Sequence, residues 1–202
     1  YQYVNATTVT WTAAYNAITG LTPSNTATAS ELPSTTRSYS ACSFKLFGMC
    51  GYFATVQTPG ENTFLTQKVG MAGAWLGAND RTTRTSTKSF KWIDPVAPEY
   101  NKVFSVGTTS DGSGWSPTSG RSTAVSYTVN GITYRYENWN QSEPNNYQPT
   151  GIMANSCGTG CGGEQVLQFV AGGTGILNDY PENKDAQKLG YIVEFGDSTA
   201  SG

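Results

Sequence analysis

The order of local patterns constrains this chain most: strand, helix, strand, helix, and then a run of short strands parted by long polar loops. Tyr1 to Val9 sets Tyr, Val and Thr against polar neighbours, the pattern of a strand. Trp11, Ala14, Tyr15 and Ile18 recur at helical spacing behind Thr10, a residue suited to cap a first turn, so a helix is predicted over Trp11 to Leu21. Thr58-Pro59-Gly60-Glu61 opens a second helix with a hydroxyl cap, a proline where no N–H is needed, and a glutamate three residues on. Phe64, Leu65 and Val69 are its predicted apolar face. Further strands are predicted at Gly51 to Val56, Ala74 to Gly77, Phe90 to Ile93, Tyr134 to Trp139, Val166 to Val170 and Tyr191 to Phe195. This order predicts an α+β domain with a mostly antiparallel sheet. The 202 residues suit a single domain over 1–202, with loop insertions near 22–50 and 105–125, where Ser, Thr, Pro and Gly dominate and periodicity is lost.

Composition removes several function classes. The chain contains no histidine, which excludes Ser-His-Asp and Cys-His nucleophilic catalysis and most zinc hydrolases. No glycine-rich phosphate loop precedes a helix. The net charge is −2 and no run of Lys and Arg exists, so neither a nucleic-acid footprint nor a polybasic membrane patch is predicted. No stretch reaches the roughly 18 apolar residues of a spanning helix, and no membrane insertion is expected. The chain opens in an aromatic strand pattern without a leader, and reads as a mature protein or an excised module. Its surface is polar but sparsely charged, at 13% charged residues, a composition frequent outside the cell. The four cysteines form two close pairs, Cys42 with Cys50 and Cys157 with Cys161. Four cysteines allow three connectivities. Two local disulfides are preferred; a four-thiolate zinc site and free thiols are the alternatives.

The segment from Trp139 to Tyr180 carries the chemistry that is left. Glu143-Pro144-Asn145-Asn146, Glu164 and Asn178-Asp179 place acids beside carboxamides in loop-like sequence. Calcium takes six to eight oxygen ligands of this kind, whereas magnesium keeps more water. Pro144 is compatible with a cis peptide that turns the flanking side chains toward one point. Each fragment alone is also ordinary turn chemistry.

Several segments together resemble the C-type lectin family. Ala74-Trp75-Leu76-Gly77-Ala78-Asn79-Asp80 is similar to the family's central Trp-Leu-Gly strand, and Phe90-Lys91-Trp92-Ile93-Asp94 to the strand after it. Tyr136-Glu137-Asn138-Trp139 with Glu143-Pro144-Asn145-Asn146 resembles the long-loop motif. Gly175-Ile176-Leu177-Asn178-Asp179 resembles the Trp-Asn-Asp strand, and Gly190-Tyr191-Ile192-Val193-Glu194-Phe195 the closing strand. Gly51-Tyr52-Phe53-Ala54-Thr55-Val56 is most similar to bacterial members found in large surface adhesins. The resemblance implies a C-type-lectin-like fold of two helices, mostly antiparallel sheets and a long ligand-binding loop region. It implies a calcium ion held by Glu143, Asn145, Glu164, Asn178 and Asp179, with the same five residues contacting the ligand. The Glu-then-Asn order implies the equatorial hydroxyl pair of mannose, glucose, N-acetylglucosamine or fucose. Leu177 stands where the family has Trp, Val166 where it has a disulfide cysteine. At the auxiliary calcium position Asp80 is retained, but Arg84 and Asn146 replace acids, so one calcium is expected.

These readings imply an extracellular or cell-surface module that binds and does not catalyse. Its expected partner is a glycan on a host or neighbouring cell. The alternatives are a peptide or protein terminus whose carboxylate sits on the calcium, or calcium-free protein recognition. A glycosidase using Glu143 and Glu164 is the enzymatic alternative. Tyr147, Tyr180 and Trp115 are candidates to pack on a sugar face, against the plainer role of loop anchors.

Overall fold

The computed structural model describes residues 1–20, 42–70, 72–80, 87–108, 122–140, 143–144, 164, 166–180 and 189–196. Among the described residues the chain has an α+β fold of two helices and a mostly antiparallel sheet. In order, it runs β1 (Gln2–Val9), α1 (Trp11–Thr19), β2 (Lys45–Leu46), β3 (Met49–Phe53), α2 (Pro59–Val69), β4 (Ala74–Asn79), β5 (Thr87–Trp92) and β6 (Val103–Thr108). Then follow β7 (Thr123–Ala124), β8 (Tyr127–Val129), β9 (Ile132–Tyr134), β10 (Val166–Phe169), β11 (Leu177–Tyr180) and β12 (Leu189–Gly196). The sheet runs β2-β3-β12-β4-β5-β6-β7; β1 joins it through β12, and β11 through β10, which pairs with β4. Among the described residues its parallel pairings are β12 with β4 and an isolated bridge from Trp139 to Leu177 of β11. β8 and β9 form a separate hairpin.

Strand alternation sorts the core into two faces. Ala74, Leu76 and Ala78 of β4, Ile192 of β12 and Leu167 of β10 pack with Leu65 and Val69 of α2. Their neighbours Trp75, Tyr191, Val193 and Val166 pack with Trp11, Ala14, Tyr15 and Ile18 of α1. The helices therefore cover opposite faces of one sheet. The buried indoles each find an acceptor: Trp11 Nε1 donates to Leu76 O at 2.8 Å, Trp75 Nε1 to Val9 O at 2.8 Å, and Trp92 Nε1 to Tyr127 Oη at 3.2 Å. Gly77 lets β4 pass close to β3, since a Cβ there would lie 2.6 Å from Phe53 O.

The helix starts form as predicted. Thr10 Oγ1 accepts from Ala13 N, and Thr58 Oγ1 accepts from Glu61 N at 3.1 Å. Glu61 reaches back one residue further than a capping box: its Oε2 accepts from Gln57 N at 2.6 Å. Thr58→Ala is expected to cost about 1 kcal/mol, a Tm drop of roughly 2–4 °C readable by calorimetry.

Two local expectations are corrected. The inward stripe of α2 is Asn62, Leu65 and Val69. Phe64 turns outward at 42% exposure, against Tyr1 and under the Lys68 ammonium. It lies a quarter-turn from Leu65, and the i, i+3, i+7 positions win the core. The strand expected over Tyr134 to Trp139 ends at Tyr134, because Tyr134 pairs with Tyr127, the first residue of β8, and β8 offers no pairing beyond it; Trp139 makes a single bridge to Leu177.

Cys42 and Cys50 form a disulfide, with Cα atoms 5.7 Å apart, that closes over the β2–β3 hairpin. Cys157 and Cys161 lie outside the described residues, as does most of each expected insertion; the ends of those insertions that are described include β2, β7 and parts of β3 and β6.

Candidate metal centre

The centre is assembled where the 137–144 segment meets β11. Trp139 is the anchor. Its ring packs against Phe90 at 5.0 Å and Phe104 at 6.3 Å between centroids, and its Nε1 donates to Ser105 Oγ at 3.0 Å. The backbone on both sides of it is clamped to β11: Leu177 N donates to Asn138 O at 2.8 Å and Asn140 N to Leu177 O at 2.9 Å. Glu143 N then donates back to Asn140 O at 2.9 Å, and the Glu143–Pro144 peptide is cis. These contacts deliver Glu143, half-buried, beside the strand that carries Asp179.

β11 is held in register by β10, with Leu167 opposite Asp179 and Val166 opposite Tyr180. Alternation points Asp179 to the same face as Leu177, whose side chain is in the α2-side core. Asp179 is fully buried there. Its approach is set by Gly175, at φ 64°, where a Cβ would lie 2.3 Å from Thr66 Oγ1 of α2; Asn138 Nδ2 also donates to Gly175 O at 2.9 Å. Glu164 enters just ahead of β10 at 7% exposure. Its charge adds to burial, the larger effect, in pushing the Tyr180 phenol up.

The three acids converge. One carboxylate oxygen each from Glu143, Glu164 and Asp179 lies within 4.8 Å of the other two. Two ionised carboxylates at such a separation repel by roughly 3 kcal/mol at an effective dielectric of about 20. A divalent cation among them removes that repulsion and supplies the opposite charge. A buried set of hard oxygen donors is the donor chemistry that calcium prefers.

The remaining sequence-predicted ligands stand as follows. Asn178 is half-buried on β11, paired across to Gln168, and its Nδ2 donates to the carbonyl of Asp179 at 2.7 Å. Asn145 lies outside the described residues, as do Arg84, Asn146, Tyr147 and Trp115. Asp80 is buried at the end of β4. Leu177 packs in the α2-side core. Tyr180 is no sugar platform: it is 8% exposed and sits against Trp75 at 6.0 Å. Asn178-Asp179 sits in a paired strand and not in a turn. Sequence reasoning missed the clamp made by Asn138 and Asn140, whose only signal was their position around the Trp139 anchor.

Among the described residues no helix is long and apolar enough to cross a membrane. No protein-family model and no curated protein matches the chain. Among solved structures it is similar to the cow C-type carbohydrate-recognition domain of CD23, determined in the presence of a GlcNAc2Man3 oligosaccharide. The two are 18% identical, the match covers 73% of this chain and 71% of that one, and the TM-score is 0.39, at which the likeness carries no argument about function.

Proposed function

We propose that this chain is a calcium-dependent carbohydrate-binding module. The observation that carries the reading is the convergence of Glu143, Glu164 and Asp179, from separate parts of the chain, on one place. In this reading these three acids hold the ion together with Asn145 and Asn178. The bound calcium supplies open coordination positions that a pair of vicinal sugar hydroxyls fills. The chain's own residues do the selecting. Carboxylate oxygens accept from the sugar hydroxyls and the carboxamides donate to them, so the ligand must present both functions on neighbouring oxygens. The Glu143-then-Asn145 order favours equatorial pairs of the mannose, glucose or fucose type. The module binds and does not catalyse. The Cys42–Cys50 disulfide favours an oxidising, extracellular setting such as a surface adhesin.

The test is a glycan array probed with the protein in calcium and again in chelator. Retention on mannose-, glucose- or fucose-type glycans in calcium, lost with chelator, is expected. An empty array beside calcium-dependent binding of peptides with free C-terminal carboxylates would replace the sugar with a peptide terminus. Binding unaffected by chelator would refute the metal role.

A further inference from the structure

Away from the candidate metal centre, a second group of acids meets inside the protein. Glu194 lies on β12, Glu61 on α2, and Glu99 in the loop between β5 and β6. Glu194 and Glu99 are buried, Glu99 at 3% exposure, and Glu61 is half-buried. The neutral donors around them come from four places. Tyr1 Oη donates to Glu61 Oε1, and Gln57 N donates to Glu61 Oε2 at 2.6 Å. Gln57 Nε2 donates to Glu99 Oε1. Thr55 N donates to Glu194 Oε2 at 3.2 Å and Thr55 Oγ1 to the same oxygen at 3.3 Å. Tyr52, directly opposite Glu194 on β3, also hydrogen-bonds to it. Tyr127 of β8 feels the charges of Glu99 and Glu61, and Tyr134 of β9 lies beyond it. The charges that act on Glu194 from these elements are the other two glutamates.

We propose that this cluster is a proton-holding clasp between α2, the 94–102 loop and β12, tightest in acid and loosened as the pH rises through neutrality. The geometry requires protons. Three like charges brought together in a dry place cannot all ionise without large cost. Glu99 Oε2 is buried and makes no hydrogen bond of ordinary geometry, although the Thr55 hydroxyl and the Glu99 N–H act on the same carboxyl. An ionised oxygen in that position is poorly paired, whereas a protonated one is a hydroxyl that can turn toward a neighbouring carboxylate. Burial first, then the charges of Glu61 and Glu99, pushes the Glu194 carboxyl up to about 8. Burial likewise raises Glu61 and Glu99. The sign follows. A carboxyl with a raised folded-state pKa contributes stability that is complete below its unfolded value and is lost as pH climbs through its folded value.

The clasp is tested by melting the whole protein in chelator, so that the candidate metal centre cannot respond. A Tm higher by about 5 °C at pH 6 than at pH 9 is expected. Glu194→Gln, a neutral isostere, is expected to flatten that difference. The carbon-13 carboxyl resonance of Glu194 is expected to titrate well above pH 6, a readout that needs no variant. A wild-type Tm that is flat or falls between pH 9 and 6 overturns the proposal. So does a Glu194 midpoint in the ordinary carboxylate range, or a Glu194→Gln variant with the wild-type pH dependence. A calcium-induced Tm rise that survives Asp179→Asn but is lost in Glu194→Gln would also overturn it, in favour of a cation at this cluster.

Discussion

Asp179→Asn is expected to abolish the calcium-induced rise in Tm while leaving the domain folded. Asp179 is fully buried and its carboxylate meets those of Glu143 and Glu164 within 4.8 Å. If the wild type binds calcium as proposed, free calcium at about 100 times its Kd is expected to stabilise the native state by roughly 2.7 kcal/mol, a Tm rise of about 5–10 °C at this size. The carboxamide keeps an oxygen but loses the charge, and calcium affinity depends steeply on ligand charge. Affinity is expected to fall at least ~100-fold, which calorimetric titration would read directly. Without calcium the variant is expected to melt at or above the wild-type temperature, because one partner in the mutual repulsion is gone. A variant that still gains several degrees from calcium would remove Asp179 from the centre. One that melts far below the metal-free wild type would make its role structural.

Trp11→Ala is expected to be the most destabilising single change in the α1-side core. Trp11 is fully buried and stacks on Tyr15 at 5.6 Å and Phe53 at 5.7 Å between centroids. Its Nε1 also donates to Leu76 O, so truncation leaves both a cavity and a buried carbonyl with one donor fewer. Large-to-small changes of this kind cost about 3–5 kcal/mol, and a Tm drop on the order of 10 °C is expected. Equilibrium unfolding in urea measures it. A loss under about 1 kcal/mol would show that the α1 face is loosely packed.

These two residues also mark how far sequence reading reaches. Trp11 is legible because its neighbours Ala14, Tyr15 and Ile18 repeat at helical spacing behind a capping threonine, and helix capping acts within a few residues. The Thr58-Pro59 start is legible for the same reason. Asp179 is different. Asn178-Asp179 followed by Tyr180 and Pro181 reads locally as a turn, yet pairing with β10 holds it in a strand. That pairing, and the clamp around Trp139, decide which acids face each other. Neither is visible in the spacing of Glu143, Glu164 and Asp179 along the chain.

Residue identity alone set the helix starts, the alternating strands and the oxygen-rich donor types, since caps, proline geometry and side-chain period act within a few residues. Tertiary structure decided what meets what. It turned Phe64 outward, buried Tyr180 against Trp75, and gathered Glu61, Glu99 and Glu194 into one dry place. Those outcomes depend on strand register and helix docking between residues far apart in sequence. The free energies involved belong to pairs of elements and not to any single segment.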